Sequence, residues 1–259
     1  TGAIGIATDF ITGRAKDDAD TERIRATVKE LAPDFTQAVI KGFATSPDDL
    51  KTVATPELLD TIASNALGLR LGDAEFAREI YGELIDNVIR APERWYDVDV
   101  RMRLSSIDER STSGTPRFAV TVTWEYTTIP SSPVKRFACT SDRDEFHELV
   151  SDVPSTSTWF MTPHPGFDAS ARECFELLQF SVDGEERSIR RSARKTGQTY
   201  SVQIGDEVVH ARQPVRIRHV YRAIVSKHGH FALLTVAQPS KGLTFSIDYT
   251  DTDIATMRV

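Results

Sequence analysis

The sequence contains little cysteine, and this scarcity argues against two classes of protein. Cys139 and Cys174 are the only cysteines in 259 residues, and they form no CxxC pair. Neither a disulfide framework nor a structural zinc site is therefore indicated, and a reducing compartment is expected. Apolar residues make up 40% of the chain and charged residues 27%, which is typical of globular proteins and argues against wholesale disorder or a coiled coil.

Sequence motifs for common catalytic chemistry are also missing. The chain contains no Gly-x-Ser-x-Gly motif, no P-loop, no Gly-x-Gly-x-x-Gly fingerprint and no protein-kinase signature. The sequence therefore supplies no evident nucleophile and no phosphate-binding loop. These absences favour a protein that is not an enzyme without deciding the question, and no cofactor is expected.

Lysine is scarce as well, and the charges that are present are unevenly distributed. The chain has 8 Lys and 23 Arg, a bias that codon usage in GC-rich bacterial genomes produces, and its net charge is -7. A net acidic surface argues against nonspecific nucleic-acid binding, which needs clustered cations. Residues 1–99 contain 11 basic and 19 acidic residues, whereas residues 187–222 contain nine basic and two acidic residues.

The chain opens with a short, mostly apolar segment, residues 1–11, which Arg14 and Lys16 follow. Eleven residues are too few for a membrane-spanning helix, which needs about 20. One interpretation is the end of a membrane anchor that precedes Thr1, with the two cations as its cytoplasmic flank. The alternative is an ordinary buried helix. We expect a cytoplasmic protein, which the first interpretation places at the inner face of a membrane.

Helix-forming sequence precedes Ala91-Pro92. Thr55-Pro56-Glu57 places a capping residue before a proline, and Asp73 precedes a segment whose apolar residues recur at helical spacing. Similar signals predict earlier helices after Asp20 and Ser46. The last helix should end at Ala91, because a residue before proline is disfavoured in the helical conformation.

After Pro92 the apolar period changes from 3.6 to 2. Apolar residues alternate with polar ones over residues 96–104 and again over 118–126, which predicts two strands joined as a hairpin. Asp183-Gly184 is a strong signal for a tight hairpin turn, and Gly205-Asp206 predicts a turn into a strand through Val208 and Val209. A short helix is expected over residues 141–150, and further strands are expected over 134–139, 175–182, 185–191, 215–225, 231–237 and 243–249.

These patterns predict an α+β fold, in which an N-terminal helical region is followed by an antiparallel β-rich region of one or two β-sandwich-like units. Residues 1–92 form the helical region. A stretch rich in Pro, Ser and Thr, residues 151–168, then separates a β-rich unit with a short helix, residues 93–168, from a second antiparallel unit, residues 169–259. No repeated βαβ pattern is apparent.

Two clusters contain residue types that bind metals. His228 and His230 would point to one face of a strand, but no third ligand follows them. Asp248, Asp251 and Asp253 resemble loop carboxylates that hold a divalent cation, although solvated hairpin ends commonly have this composition. We expect no metal site.

Two other histidines favour ordinary structural roles. His219 lies on the apolar face of a predicted strand between Ile217 and Tyr221, which is typical of a hydrogen-bonded core histidine. His147-Glu148 begins like the HExxH motif of zinc proteases, but Ser151 stands where the second histidine is required.

Arginines provide the strongest binding signal. Arg216, Arg218 and Arg222 share the polar face of the strand predicted over 215–225. If the preceding hairpin arm and loop lie beside that strand, their arginines extend a ladder of forked donors suited to phosphates, carboxylates or an acidic protein surface. The alternative is a solvated face paired to acidic neighbours. The candidate ligand-binding residues are Arg187, Arg190, Arg191, Arg194, Arg216, Arg218 and Arg222.

Three functions remain open at this point. The first is a nonenzymatic recognition module, as the cytosolic part of a larger membrane-tethered bacterial regulatory protein, that binds a protein partner or a small anionic ligand through these arginines. The second is a metal-assisted hydrolase built from His228, His230 and the carboxylates near Asp251. The third is a structural or assembly subunit that associates through exposed sheet edges. The oligomeric state does not follow from the sequence.

Overall fold

The computed structural model describes residues 54–107, 117–151, 155–164, 167–227 and 234–257. The helices predicted after Asp20 and Ser46, and the pair His228 and His230, lie outside these ranges. The chain divides into two compact units, Thr1–Tyr81 and Gly82–Val259.

Helix α1, Pro56–Leu71, begins where the sequence predicts. The side chain of Thr55 accepts a hydrogen bond from the Leu58 N–H at 3.3 Å and so caps a free end of the helix. The helix passes through Gly68 and ends at Gly72, whose φ of 72° suits a residue without a side chain.

Helix α2, Ala74–Leu84, begins after Asp73, whose Oδ1 accepts hydrogen bonds at 3.0 Å from the N–H groups of Glu75 and Phe76. A π-helical turn, Ile85–Ile89, follows it and closes the helical segment before Pro92. Both predicted helix starts are confirmed. None of the helices in the described ranges is long and apolar enough to cross a lipid bilayer.

The β-rich part contains ten strands and two short helices in the described residues. The helices are α3, Arg143–Ser151, and α4, Asp206–Ala211. The strands are β1 (Trp95–Ile107), β2 (Arg117–Thr128), β3 (Val134–Thr140), β4 (Ser155–Phe160), β5 (Phe175–Val182), β6 (Glu185–Glu186), β7 (Ile189–Ala193), β8 (Gly197–Gln203), β9 (Val215–Ser226) and β10 (Ser240–Asp251).

These strands form two sheets, which confirms the predicted α+β class. The larger sheet has the order β10-β1-β2-β9-β5-β6, and the smaller has the order β4-β3-β8-β7. The pairing of β1 with β2 is antiparallel, as the hairpin prediction requires. Two pairings are parallel, β1 with β10 and β3 with β4. The second arises because α3 carries the chain back over the sheet, and a crossover of this kind aligns its flanking strands.

Both sheets contain strands from residues 93–168 and from residues 169–259. The sheets contribute to one hydrophobic core, since Phe137 on β3 meets Phe180 on β5 at a ring distance of 6.0 Å, and Trp159 on β4 meets Tyr221 on β9 at 5.9 Å. The Pro-rich stretch therefore does not divide the sheets from each other.

Two turns were predicted in the second half of the chain, and only one of them leads into the predicted strand. Asp183 and Gly184, with φ angles of 50° and 84°, form the predicted tight turn between β5 and β6. The arm beyond that turn leaves the sheet after two residues and continues as β7 in the smaller sheet. The strand predicted through Val208 and Val209 is wrong, because acidic residues in the first turn start the short helix α4 there.

Candidate functional site

Three of the predicted arginines lie on the outer face of the larger sheet. Arg216, Arg218 and Arg222 alternate along β9 with residues that point into the core. Their hydrogen-bond acceptors lie on the two adjacent strands and are Glu125 Oε1 at 2.6 Å for Arg216, Gln179 Oε1 at 3.0 Å for Arg218 and Glu176 Oε2 at 3.1 Å for Arg222.

Carboxylates balance most of the positive charge on this outer face. On β1, Arg101 binds Asp99, and Arg103 binds Asp251, each at 2.5 Å. These contacts raise the pKa values of both arginines above the ordinary value. The face is therefore a set of exposed ion pairs, which water and salt screen, so they add little to stability.

The other four predicted arginines follow β5 and lie near or on β7. Arg187 binds Glu185 at 3.3 Å, and Arg194 binds Glu145 at 2.9 Å. Arg190 faces outward opposite Ser201, and Arg191 lies opposite Tyr200. Because β7 and β9 belong to different sheets, the seven arginines do not form a single ladder.

Arg191 lines a cleft of about 370 Å³ at the edge of the β-rich part. Leu177, Leu178 and Ile189 form its apolar side. Its polar side consists of Arg172, Glu176, Arg191 and Tyr200. The cleft is lined by three apolar and four polar or charged side chains, so it offers both apolar contacts and hydrogen-bonding groups.

A bulge in β5 shapes one wall of the cleft. Leu177 is opposite Tyr221 and Gln179 is opposite Val220, so Leu178 is an extra residue with no register partner. The bulge leaves Leu178 exposed while its neighbour Leu177 remains buried. Bulges of this type re-aim side chains and are frequent beside binding sites.

Hydrogen bonds to Gln198 and to the backbone of Ser170 orient the guanidinium of the exposed residue Arg191. Its Nε donates to Gln198 Oε1 at 2.8 Å, and its Nη2 donates to the Ser170 carbonyl at 2.5 Å. Tyr200 donates to the Phe175 carbonyl at 2.9 Å and lies 3.0 Å from the same Gln198 oxygen. Burial raises the pKa of Tyr200, against the opposing effect of Arg191. Two protein oxygens thus hold Arg191 in one orientation.

The charge of Arg191 is not neutralised by a carboxylate among the described residues. Its two partners are neutral oxygens. Glu176, the one acid of the cleft wall, instead binds Arg172 at 2.5 Å and Arg222 at 3.1 Å. Two arginines share one carboxylate, and a third has none, so the cleft carries a net positive charge.

The acidic residues of the hydrolase hypothesis bind protein cations. Arg103 binds Asp251 and approaches Asp248 to 3.9 Å, while Lys227 binds Asp253 at 2.8 Å. Hydrogen bonds from Thr250 lower the pKa of Asp248, and those from Lys227 lower that of Asp253. Within the ranges that the structure describes, no group of three or more His, Cys, Asp and Glu residues is arranged to hold a metal.

Two histidines lie in structural positions as predicted, but the hydrogen bond expected of His219 is not found at its Nδ1, which has no partner among the described residues. His219 is 2% exposed and lies among aromatic rings, the nearest being Phe137 at 4.8 Å. Burial, with a smaller effect from Lys135, lowers the pKa of His219 to about 3, so the ring is neutral. In helix α3, His147 Nδ1 lies 2.7 Å from the Arg143 carbonyl oxygen, and Ser151 donates to the His147 carbonyl.

Arg191 is a predicted ligand-binding residue, whereas the sequence predicts such a role for none of the other residues that line the cleft. Arg172 lies in an irregular segment before β5, where no periodic pattern marks it. Gln198 and Tyr200 do carry a signal, because their spacing of two places both side chains on the inner face of β8.

The chain matches no family model, and no curated protein or solved structure shows significant similarity to it.

Proposed function

We propose that this protein is a recognition module that binds a small ligand with a carboxylate and a short apolar group in the cleft beside Arg191. The supporting observation is the guanidinium of Arg191, which is fixed by Gln198 and Ser170 and lacks a carboxylate partner among the described residues. Such a group presents its remaining donors to an anion without first breaking an ion pair.

The apolar wall favours an organic anion over inorganic phosphate. Leu178 is 40% exposed beside the bulge, and Ile189 is half-buried on the facing strand β7. Covering these two side chains removes apolar surface from water, which stabilises a complex by about 25 cal/mol per Å². A compact, strongly hydrated phosphate has no apolar surface to bury against that wall, so the wall does not stabilise its complex.

The outer face of the larger sheet is a weaker candidate for the same function. Arg216 and Arg222 already bind carboxylates, and a ligand would have to displace them. The exchange of one carboxylate for another yields little net free energy in water.

The test uses benzoate as a probe, because it combines one carboxylate with one apolar ring. Titration of the 15N-labelled full chain should perturb the NMR signals of Arg191 and Ile189 at millimolar benzoate, and sodium phosphate at the same concentration should not. Arg191→Gln should weaken benzoate binding about 10-fold or more, since a charged hydrogen bond contributes about 1.5–3 kcal/mol.

Arg190→Gln is the matched control. Arg190 is the adjacent residue on β7 and faces away from the cleft, opposite Ser201. Its replacement removes the same charge and should change benzoate affinity less than twofold. Equal weakening by both variants would indicate nonspecific attraction, and absence of benzoate binding at the cleft would refute the proposal.

A further inference from the structure

A second group of polar residues, separate from the cleft, is buried in the protein interior. We call Glu93, Trp95, Tyr126, Thr128 and Lys135 the Glu93 cluster. All five side chains belong to residues that are at most 4% exposed. They come from the segment before β1, the first residue of β1, the end of β2 and the start of β3.

Direct contacts hold the cluster together. Glu93 Oε1 accepts hydrogen bonds from Lys135 Nζ and from the N–H and hydroxyl groups of Ser131. The ring of Trp95 stacks on that of Tyr126 at 4.2 Å. Tyr96 lies opposite Thr127 in the register of β1 with β2, which brings the preceding Trp95 beside Thr128.

Four polar atoms of the cluster have no hydrogen-bond partner among the described residues. They are Glu93 Oε2, Trp95 Nε1, Tyr126 Oη and Thr128 Oγ1. Buried polar atoms in native proteins nearly always bond to protein or to ordered water, because an unpaired one loses its hydration without compensation. Four such atoms in one region point to a bound polar molecule.

The chemistry of these atoms specifies that molecule. The carboxylate oxygen only accepts, the indole N–H only donates, and the two hydroxyls do both. The ligand must therefore donate and accept. It must also be neutral, because Lys135 already matches the charge of Glu93, and it must be small enough to be enclosed. Water meets all three conditions.

We propose that the Glu93 cluster is an internal water-binding site, in which water accepts from the indole of Trp95 and donates to the free oxygen of Glu93. This site is separate from the cleft beside Arg191. A water there joins β1, β2 and β3, which belong to both sheets, at one end of the core.

Water-to-protein cross-relaxation at the tryptophan indoles tests the proposal directly. The 15N-labelled full chain should show a cross-peak of a long-lived water at the indole N–H of Trp95. Trp124 is the internal control and should show none, because its indole N–H is not among the buried polar atoms that lack a partner in the described residues. A missing cross-peak at Trp95 would overturn the proposal.

A second measurement removes one hydroxyl of the site. Thr128→Val keeps nearly the same volume but deletes the hydroxyl oxygen. If water binds that oxygen, the loss of a hydrogen bond should lower Tm by roughly 2–4 °C. If the oxygen is unpaired, the apolar replacement should raise Tm, and that result would contradict the proposed site.

Discussion

Lys135 and Glu93 form an ion pair inside the β-rich part, with side chains that are 2% and 3% exposed. Burial lowers the pKa of Lys135, while Glu93 opposes that shift. The pair ties the start of β3 to the segment that enters β1. Each charge offsets the desolvation of the other, so the two residues should be inseparable in their effect on stability.

Removal of one charge tests that dependence. Lys135→Met leaves the Glu93 carboxylate buried without its cation, and we expect a loss of about 3–5 kcal/mol in the free energy of unfolding. The double variant Glu93→Gln with Lys135→Met removes both charges and keeps an acceptor for Ser131, so it should recover at least half of the loss. Urea unfolding at pH 7 measures both values. A double variant no more stable than the single one would disprove the coupling.

The buried neutral ring of His219 predicts a loss of stability in acid. Its pKa is about 3 in the folded chain and about 6.5 in an unfolded chain. Between these values the unfolded state binds one proton more, so the free energy of unfolding falls by up to about 1.4 kcal/mol for each pH unit below 6.5.

The variant His219→Phe isolates the contribution of His219 protonation to the pH dependence. A phenylalanine ring suits the aromatic surroundings and cannot bind a proton. Urea unfolding between pH 6.5 and pH 5 should show a loss about 2 kcal/mol larger in the natural chain than in the variant. Parallel pH profiles of the two proteins would show that His219 is not the source.

Gly197 should not tolerate a side chain. A Cβ at this position would lie 2.3 Å from the Cys139 carbonyl oxygen and 2.9 Å from the Thr140 Cα, both on the paired strand β3. Gly197→Ala should therefore lower the free energy of unfolding by about 3 kcal/mol. Gly82→Ala is the matched control, since α2 has open space there and alanine favours the helix by about 0.5–1 kcal/mol. Thermal unfolding compares the two, and equal Tm values would contradict the predicted clash.

The two cysteines should be inert in the folded protein. Cys139 is 1% exposed and Cys174 is 7% exposed. Burial, with a smaller effect of Cys174, raises the pKa of Cys139 to about 12, and only the thiolate is reactive. Maleimide treatment followed by mass spectrometry should add no label to the native chain and two labels after denaturation. The exposed variant Ser188→Cys serves as a positive control, and rapid native labelling of Cys139 would refute the prediction.

Local patterns were sufficient for much of the fold. The helices that begin after Thr55 and Asp73 follow from capping residues, and the β1–β2 hairpin follows from alternation around a polar loop. The short helix α4 was missed because its two valines suit a strand equally well. The parallel pairing of β10 with β1 depends on contacts between distant segments, which no local pattern encodes.

Prediction of the candidate site was also limited by contacts between distant segments. The identity of the arginines was evident, but their grouping depends on which sheet each strand enters. The burial of Lys135 could have been predicted from the alternation of side chains along β3. This residue shares its parity along β3 with the buried residues Phe137 and Cys139, so its place in the interior was encoded in the sequence, whereas its partner Glu93 was not.

The pairing of β10 with β1 also constrains the order of folding. Arg103 and Asp251 lie 2.5 Å apart in space but 148 residues apart along the chain. During synthesis, β1 leaves the ribosome long before the strand that covers its edge. One edge of β1 is then open to other chains until β10 arrives, and closure of so long a loop makes folding slow. Until β10 pairs with β1, something other than the completed sheet must prevent aggregation at that open edge.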